Sequence, residues 1–131
     1  MNPVTWFSIP ADDIEQAKDF YNKAFGWEIQ PETKEADDRY SFNIALTTPD
    51  NDAEFNPTKP AIVNGCIVKK AIGVTTPVVL LQVEDLDAAM QRVKTAGGSI
   101  VSEKIPMGSL NGSFVLVKDP EGNMLELFAS N

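Results

Sequence analysis

The amino-acid sequence predicts an α+β fold made of two tandem modules, each with the element order βαβββ. Strand-like and helix-like segments follow one another in the same order in both halves of the chain. A shift of 72 residues also aligns six identical pairs at predicted caps and core positions: Asp13/Asp85, Ala17/Ala89, Ala24/Ala96, Gly26/Gly98, Ser41/Ser113 and Phe42/Phe114. Duplication explains both observations, and it divides the single domain of residues 1–131 at about 1–72 and 73–131.

The first module begins at residues 4–10, which are rich in β-branched and aromatic side chains and are predicted to form a strand. A helix is predicted over residues 13–25, because apolar residues recur there at helical spacing. Asp12, with Glu15 three residues later, matches a capping box, and Gly26 ends the helix. Strands are predicted next at 27–30 and 40–47. A long loop rich in Pro, Asp and Asn follows at 48–64, and the last strand of the module is predicted at 66–71.

The second module repeats this order. A nearly continuous apolar strand is predicted at 77–83, followed by a helix that Asp85 caps and Gly97–Gly98 closes. Strands are predicted at 99–105, 113–118 and 124–128. The intervening segments are interpreted as turns: 106–109, 119–123 and the Asn111–Gly112 pair, which forms a glycosylation sequon with Ser113 but is typical of a hairpin turn.

The composition excludes several kinds of site. The chain has no histidine, which removes Ser-His-Asp and Cys-His nucleophiles and every histidine-ligated zinc, iron or haem centre. Its formal net charge of −8 would repel a phosphate backbone, and its basic residues cluster no further than Lys69–Lys70. We therefore expect no nucleic-acid partner. The remaining chemistry is that of carboxylates, a thiol, hydroxyls, amines and the backbone.

The cellular setting follows from the cysteine and from hydropathy. Cys66, the single cysteine, cannot form a disulfide within its own chain. The first residues lack the pattern of a signal peptide, and no apolar run approaches the roughly 20 residues that cross a bilayer. We expect a cytoplasmic protein without a membrane partner.

Two segments of the chain carry a resemblance to a known superfamily. The first is VTWFSIPADDIEQAKDFYNKAFGWE at residues 4–28, and the second is KDPEGNMLELF at residues 118–128. They resemble the first motif and the last hairpin and strand of the glyoxalase, bleomycin-resistance and extradiol-dioxygenase superfamily, also called vicinal oxygen chelate proteins. The resemblance covers the chain apart from the 48–64 loop. It implies a U-shaped mixed sheet with a central trough and the helices outside, and a homodimer.

The resemblance leaves the chemistry open, since this superfamily holds lyases, thiol transferases, epimerases, dioxygenases and metal-free drug-binding proteins. In its metal-dependent members the ligands come from the first and last strand of each module and face the trough. The corresponding positions here are Trp6, Cys66, Val78 and Glu126. A divalent metal needs at least three protein donors, and this set offers one hard donor and one soft one. We therefore expect no cofactor and no metal site, with a divalent metal at Glu126 as the alternative.

Glu126 is the candidate catalytic residue. Strand alternation places Leu125 and Leu127 on one face and Glu126 on the other, with Met124 and Phe128. If the leucines pack against the helices, Glu126 points into the trough, where burial would raise its pKa and suit it to act as a general base or as an acceptor for a ligand hydroxyl or amine. The alternative is an inert remnant of an ancestral ligand position.

The remaining candidate residues would line the trough and bind the ligand. Cys66 has no histidine to activate it, and Lys69 lies on the opposite face of its strand, so we expect a small buried apolar residue. Trp6 either stacks on a planar ligand or fills the trough. The predicted ligand-binding set is mostly apolar with a few polar anchors, as small-molecule sites are: Trp6, Ser8, Cys66, Val78, Leu80, Gln82, Met124 and Phe128.

Three functions stay open at this point. The first is a metal-independent small-molecule-binding protein whose trough is gated by the 48–64 loop. The second is an enzyme of lyase or dioxygenase type that uses an unusual metal site or Glu126 alone. The third is a non-catalytic subunit whose trough is filled by its own side chains and which binds a protein partner. The loop itself is interpreted either as a lid or as a mobile insertion.

Overall fold

The computed structural model describes residues 1–70 and 73–131. This part of the chain contains nine strands and two helices, in the order β1 (Val4–Ala11), α1 (Ile14–Phe25), β2 (Glu28–Thr33), β3 (Phe42–Leu46), β4 (Gly65–Lys69), β5 (Val78–Gln82), α2 (Leu86–Thr95), β6 (Ser99–Ile100), β7 (Ile105–Met107), β8 (Gly112–Lys118) and β9 (Met124–Ser130). The predicted α+β class is confirmed. The last residue of the strand predicted at 66–71 lies outside the described residues.

The chain forms two compact units. One comprises Trp6–Pro77, and the other comprises Val78–Asn131 together with Met1–Thr5. In the first unit the strands lie in the order β2-β3-β4-β1, with β1 and β4 parallel and the other pairs antiparallel. In the second the order is β6-β8-β9-β5, with β5 and β9 parallel and the other pairs antiparallel. Equivalent strands therefore have the same neighbours and directions in both units, as tandem βαβββ modules predict.

Aspartate caps begin both helices. The N-cap of α1 is Asp13, whose Oδ1 accepts a hydrogen bond of 3.0 Å from the Gln16 N–H. The prediction of Asp12 as the cap was wrong, because Asp13 is the extended residue directly before the helix; the Asp12 carboxylate instead lies 3.2 Å from Lys70 Nζ. Asp85 caps α2 as predicted and accepts a 2.8 Å bond from the Ala88 N–H.

Glycines end both helices. Gly26 has a φ of 73° and stops α1, as predicted. Beyond α2, Gly97 has a φ of 98° and its N–H donates to the Lys94 carbonyl. The left-handed residue that ends the second helix is therefore Gly97. The alignment at a shift of 72 residues pairs Gly26 with Gly98, which is one residue too late.

The strand predicted at 99–105 is broken into β6 and β7, so both that prediction and the turn predicted at 106–109 were wrong in part. Ser102 explains the break. Its Oγ accepts a 2.9 Å hydrogen bond from the Leu116 N–H on β8, in the place where a strand would offer a backbone carbonyl. The chain then rejoins β8 through β7, which pairs Ile105 with Phe114. A 3-10 turn at Gly108–Leu110 and Asn111, with a φ of 51°, complete the predicted hairpin.

The 48–64 loop is held by a buried side chain. Asn64 is 1% exposed and its Oδ1 accepts from the Thr47 N–H (2.9 Å) and from Thr47 Oγ1 (3.2 Å). Its amide nitrogen donates to Asn51 Oδ1 (2.7 Å) and to the Phe55 carbonyl (3.0 Å). The loop is thus tied at two points to the residue that precedes β4, and it carries an ordered turn of its own.

That turn has the sequence pattern D-x-E-x-N and occurs twice. In the first unit Asp52 Oδ1 accepts from the N–H groups of Glu54 and Asn56, Oδ2 accepts from Asn56 Nδ2, and the Asp52 N–H donates to the Asn56 carbonyl. In the second unit Asp119 makes the same four bonds with Glu121 and Asn123. The first turn lies between β3 and β4 and the second between the equivalent β8 and β9.

The two helices are covered to different degrees. Under α2 a core of buried side chains includes residues of the helix and both neighbouring strands: Val83, Leu86, Ala89, Val115, Val117, Leu127 and Ala129. On α1 no residue is fully buried, and Phe20 and Phe25 are 55% and 63% exposed. The apolar side of α1 instead forms an aromatic group in which Tyr21 stacks on Trp27 at 5.0 Å.

At the outer end of the first unit, β2 is irregular. Its pairing with β3 shifts register between Ile29 and Glu32, and Pro31 lies within the shift. Proline has no N–H to give to a ladder, so the irregularity follows from the sequence. In the described residues neither helix is long and apolar enough to span a membrane.

Candidate functional site

The second unit places Glu126 on the face of its sheet opposite α2. Leu127 belongs to the core beneath α2, and Leu125 packs against that core. Because side chains alternate along a strand, Met124, Glu126 and Phe128 lie on the other face of β9. The alternation predicted from the sequence is the one observed in this strand.

Glu126 is flanked by aliphatic neighbours. In the strand register it lies between Leu80 of β5 and Leu116 of β8. The Cβ atoms of directly opposed residues in an antiparallel pair, such as Leu116 and Glu126, lie about 4.5–5.5 Å apart, and Leu80 is the neighbour across the parallel pair, so a leucine flanks Glu126 on each side. Glu126 is only 7% exposed. Burying a carboxylate among aliphatic side chains costs free energy unless polar partners offset it.

The other candidate residues of the second unit share this face. Phe128 lies between Gln82 and Phe114 in the same register, one step from Glu126 on its face. Val78, Leu80 and Phe128 are buried, whereas Gln82 and Met124 are half-buried. Gln82 also borders a surface groove of about 430 Å³, whose other lining residues are Met1, Asn2, Pro3, Val83, Glu84 and Ser130.

The first unit brings Trp6, Ser8 and Cys66 together. Cys66 is registered between Ser8 on β1 and Ile44 on β3. Its Sγ accepts a hydrogen bond from the Trp6 indole N–H at 3.3 Å and lies 3.4 Å from Ser8 Oγ. Cys66 is buried, as expected of a small core residue, and its sulfur also takes part in these two polar contacts. Lys69 lies instead at 3.7 Å from a Glu32 carboxylate oxygen.

The residues at the positions that the resemblance assigns to metal ligands do not fit a divalent ion. Val78 has no donor atom, and the Cys66 sulfur already receives the Trp6 N–H. Nor do the described residues bring three Cys, Asp or Glu side chains close enough to hold a metal. Glu126 is the single hard donor of this set, and one carboxylate is fewer than a metal site needs.

Comparison with known proteins agrees with this architecture. The family model "Glyoxalase/Bleomycin resistance protein/Dioxygenase superfamily" matches residues 4–127. The chain belongs to this superfamily. No curated protein matches the chain. The recognition made from the opening and closing motifs is therefore confirmed, and the nearly complete match includes the 48–64 loop.

Solved structures share the fold of this superfamily member at low identity. Methylmalonyl-CoA epimerase from Mycobacterium tuberculosis is 16% identical, with a TM-score of 0.62, and the match covers 99% of this chain and 87% of that one. A Streptomyces coelicolor methylmalonyl-CoA epimerase variant in complex with 2-nitronate-propionyl-CoA is 12% identical (TM-score 0.68, 99% and 95% covered). A hypothetical protein from Bacillus halodurans C-125 is 10% identical (TM-score 0.69, 99% and 95% covered).

Two residues of this superfamily member escaped the sequence analysis. Asn64 and Phe55 are both in the loop that was interpreted as a lid or a mobile insertion, and composition alone does not distinguish a buried asparagine from a solvated one. A usable signal was present. The pattern D-x-E-x-N occurs at 52–56 and at 119–123. The longer first loop changes the spacing, so an alignment at a fixed shift of 72 residues misses it.

Proposed function

We propose that this superfamily member binds a small, partly apolar molecule without a metal, and that Glu126 is the polar anchor of the ligand. The observation that carries the proposal is a carboxylate 7% exposed and registered between Leu80 and Leu116. Around a ligand, such a carboxylate accepts a hydrogen bond or pairs with a cation, while its aliphatic neighbours cover apolar surface.

The other candidate residues contribute contact area and a few polar groups. In the second unit Gln82 offers an amide beside the apolar side chains Val78, Leu80, Met124 and Phe128. In the first unit Trp6 presents a broad indole surface, and its hydrogen bond to Cys66 Sγ holds the orientation of the ring. The Ser8 hydroxyl contacts the same sulfur. A side chain held in this way stacks on a planar molecule with little loss of conformational entropy.

The charge of the chain favours an uncharged or cationic ligand. The net charge is −8, and the two adjacent lysines both lie near carboxylates, Lys69 at 3.7 Å from Glu32 and Lys70 at 3.2 Å from Asp12. A coenzyme A thioester carries several phosphate charges that need basic partners. The ligands named for the structurally similar epimerases are therefore not proposed for this chain.

The homodimer and the cytoplasmic location expected above are also proposals. The dimer rests on the family resemblance, and the location on the single cysteine. Size-exclusion chromatography with light scattering tests the dimer: a mass near twice 14.3 kDa supports it, and the mass of one chain overturns it.

The anchor is tested with thioflavin T, a planar cationic dye that fluoresces when held rigidly. We expect the wild-type protein to bind the dye and Glu126→Gln to bind it at least tenfold more weakly, because the amide keeps the shape and removes the charge. EDTA should leave binding unchanged. Glu121→Gln, on an exposed turn, is the matched control and should bind like the wild type.

The contrary results are equally specific. Equal affinity in wild type and Glu126→Gln would remove Glu126 as the anchor. Loss of dye binding with EDTA, restored by a divalent metal, would replace the metal-free proposal with a metal site. Micromolar binding of propionyl-CoA would contradict the proposed ligand class.

A further inference from the structure

The aromatic side chains of α1 form an exposed patch on the first unit. Phe20 and Phe25 are 55% and 63% exposed, and their rings meet edge to face with centroids 5.9 Å apart. Tyr21 contacts both rings and stacks on Trp27, which follows the helix. We call these four residues the α1 patch. Because each ring contacts at least one other, the patch is preorganised while much of it stays exposed to solvent.

The fold itself does not account for the ring of Phe20. Asp13 and Asp85 cap the two helices at equivalent positions, so a shift of 72 residues places Arg92 of α2 where α1 has Phe20. Arg92 is exposed, as a polar residue on the outer side of a surface helix is expected to be. Contiguous exposed apolar surface marks interaction sites, whereas single exposed apolar residues do not. The α1 patch is therefore a candidate docking surface.

The charges of α1 favour a second copy of this chain as the occupant. Lys23 Nζ lies 2.7 Å from an Asp19 carboxylate oxygen, and Lys18 Nζ lies 3.6 Å from one of Glu15, so the cations and anions of the helix balance. Two copies can meet at such a face without the repulsion that their net charge of −8 creates elsewhere. A strongly basic partner, in contrast, finds no excess of anions within this helix.

The order of the charges along α1 also suits a pair of identical chains. Glu15 lies in the first turn and Lys23 in the last. In a dimer with a two-fold axis across this helix, both chains use the same surface and the two helices run antiparallel. The acidic start of each helix then lies beside the basic end of the other, and the opposed helix dipoles attract.

The exposed ring surface is large enough for the core of a dimer interface. A phenylalanine contributes about 200 Å², so the exposed parts of Phe20 and Phe25 amount to roughly 240 Å² in one chain and roughly 480 Å² in two. A stable interface buries about 1,600 Å² in total and has an apolar core within a polar rim. The rings supply close to a third of that area, and exposed polar side chains of α1 such as Gln16 can supply the rim.

We propose that the α1 patch is the surface through which two copies of this chain associate, with α1 antiparallel to its counterpart and with Phe20 and Phe25 at the core of the interface. The inference rests on the homodimer proposed above and names its surface. It goes beyond the family resemblance, which implies a dimer and specifies no surface.

Phe20→Arg tests this surface, because it gives α1 the residue that α2 carries at the equivalent position. Analytical ultracentrifugation over about 1–100 μM measures the dissociation constant of the dimer, and we expect this variant to raise it at least tenfold. Phe25→Ser should act in the same direction. Phe20→Tyr keeps a ring and should stay within about threefold of the wild type. Val101→Arg is the matched control, since Val101 is 44% exposed in the second unit, and it should leave the constant unchanged.

The outcomes separate the surface from the dimer itself. A wild-type protein that sediments as one chain of 14.3 kDa up to about 100 μM overturns both the homodimer and this inference. A wild-type dimer that Phe20→Arg and Phe25→Ser leave equally stable overturns the inference and leaves the homodimer standing. Equal weakening by Val101→Arg would show that added charge alone separates the copies, which also overturns it. If circular dichroism shows that Phe20→Arg does not fold, Phe25→Ser decides. Dye binding at Glu126 is measured separately, so these results do not bear on the proposed ligand.

Discussion

Asn64 and Glu126 are both buried polar residues, and their surroundings differ. All four hydrogen bonds found for the Asn64 side chain are to the loop or to Thr47, so the residue converts a 17-residue connection, 48–64, into a defined structure. Glu126 instead lies in a regular strand between leucines. A strand needs no carboxylate to form, so the two residues have different reasons to be buried: architecture for Asn64 and, in our proposal, ligand binding for Glu126.

Replacement of Asn64 should therefore be costly. Asn64→Leu leaves the Thr47 N–H and the Phe55 carbonyl without their present partner, and we expect the free energy of unfolding to fall by about 2–4 kcal/mol. Urea denaturation followed by circular dichroism measures it. Asn22→Ala, which removes one exposed bond to the Trp27 carbonyl, is the control and should cost less than about 1 kcal/mol. A loss below that level for Asn64→Leu would show that the loop is not held by this residue.

At the scale of single residues, the sequence predicted what alternation and capping determine. Leu127 and Glu126 lie on the predicted faces of their strand, and Asp85 caps its helix. The prediction of the α1 cap was wrong because two neighbouring residues, Asp12 and Asp13, have equally suitable side chains. Only the backbone path distinguishes them. The role of Cys66 also needed the structure, because the Trp6 indole reaches it across 60 residues of sequence.

The turn at 119–123 and its counterpart at 52–56 are the elements that recur most closely. Hydrogen bonds from Asn123, first from its side-chain amide, hold the pKa of Asp119 below its ordinary value of 3.8. Those from Asn56, first from its backbone N–H, do the same to the pKa of Asp52. In both turns the ionised carboxylate is the form that the donors favour.

These turns should make the fold sensitive to acid. A carboxyl whose pKa is lower in the folded chain than in the unfolded one stabilises the fold above its unfolded pKa, and this contribution is lost as pH falls through the folded pKa. We expect the melting temperature to fall below about pH 4, and the fall to be smaller in Asp119→Ala or Asp52→Ala, which start lower at pH 7. Differential scanning fluorimetry across pH measures this. Identical pH profiles for Glu121→Ala, the control, and Asp119→Ala would contradict it.

Among the larger elements, the helices and most strands followed from hydrophobic spacing and glycine stops. The break between β6 and β7 did not, because it depends on one hydroxyl: Ser102 takes the Leu116 N–H and ends the pairing early. A serine in a β-rich stretch carries no signal that says which backbone group it will bind. The ordered turn at 52–56 was hidden for a similar reason, since Asp and Asn are as frequent in solvated loops as in tight ones.

For the whole molecule, the dominant property is acidity. With 19 acidic and 11 basic residues, the folded chain gathers like charges into a smaller volume than the unfolded chain does. Ion pairs such as Lys23–Asp19, whose charged atoms lie 2.7 Å apart with both side chains more than half exposed, are surface contacts. Pairs of this kind contribute little to stability and are screened by salt.

Sodium chloride should therefore stabilise the protein. Between about 20 and 500 mM the Debye length shortens from roughly 20 Å to 4 Å, which screens the net repulsion of the acidic chain. We expect the melting temperature to rise over this range, with most of the rise below about 150 mM. Sucrose controls for effects unrelated to charge. A melting temperature that falls with sodium chloride would mean that the surface ion pairs outweigh the net repulsion.

The duplication was the part of the whole-molecule architecture that the sequence predicted well, since six aligned identities and a repeated element order suffice to indicate it. The candidate site was predicted less completely. The strands that carry Glu126 and Cys66 were identified, but the ordered loop that Asn64 holds beside β4 was not, because a residue in a loop has no periodicity from which its direction can be derived. The role of Asn64 depends on hydrogen bonds that exist only after folding.

The irregularity of β2 affects how this protein meets other copies of itself. An outermost strand with a regular row of N–H and C=O groups is a template on which another chain can add a strand, and repeated addition leads to fibrils. In β2, Pro31 interrupts the donors, the register shift interrupts the spacing, and Glu28 and Glu32 place negative charge on the same strand. Pro31 and the register shift around it, which make the pairing of β2 irregular, therefore also protect this edge of the first unit from cross-β aggregation.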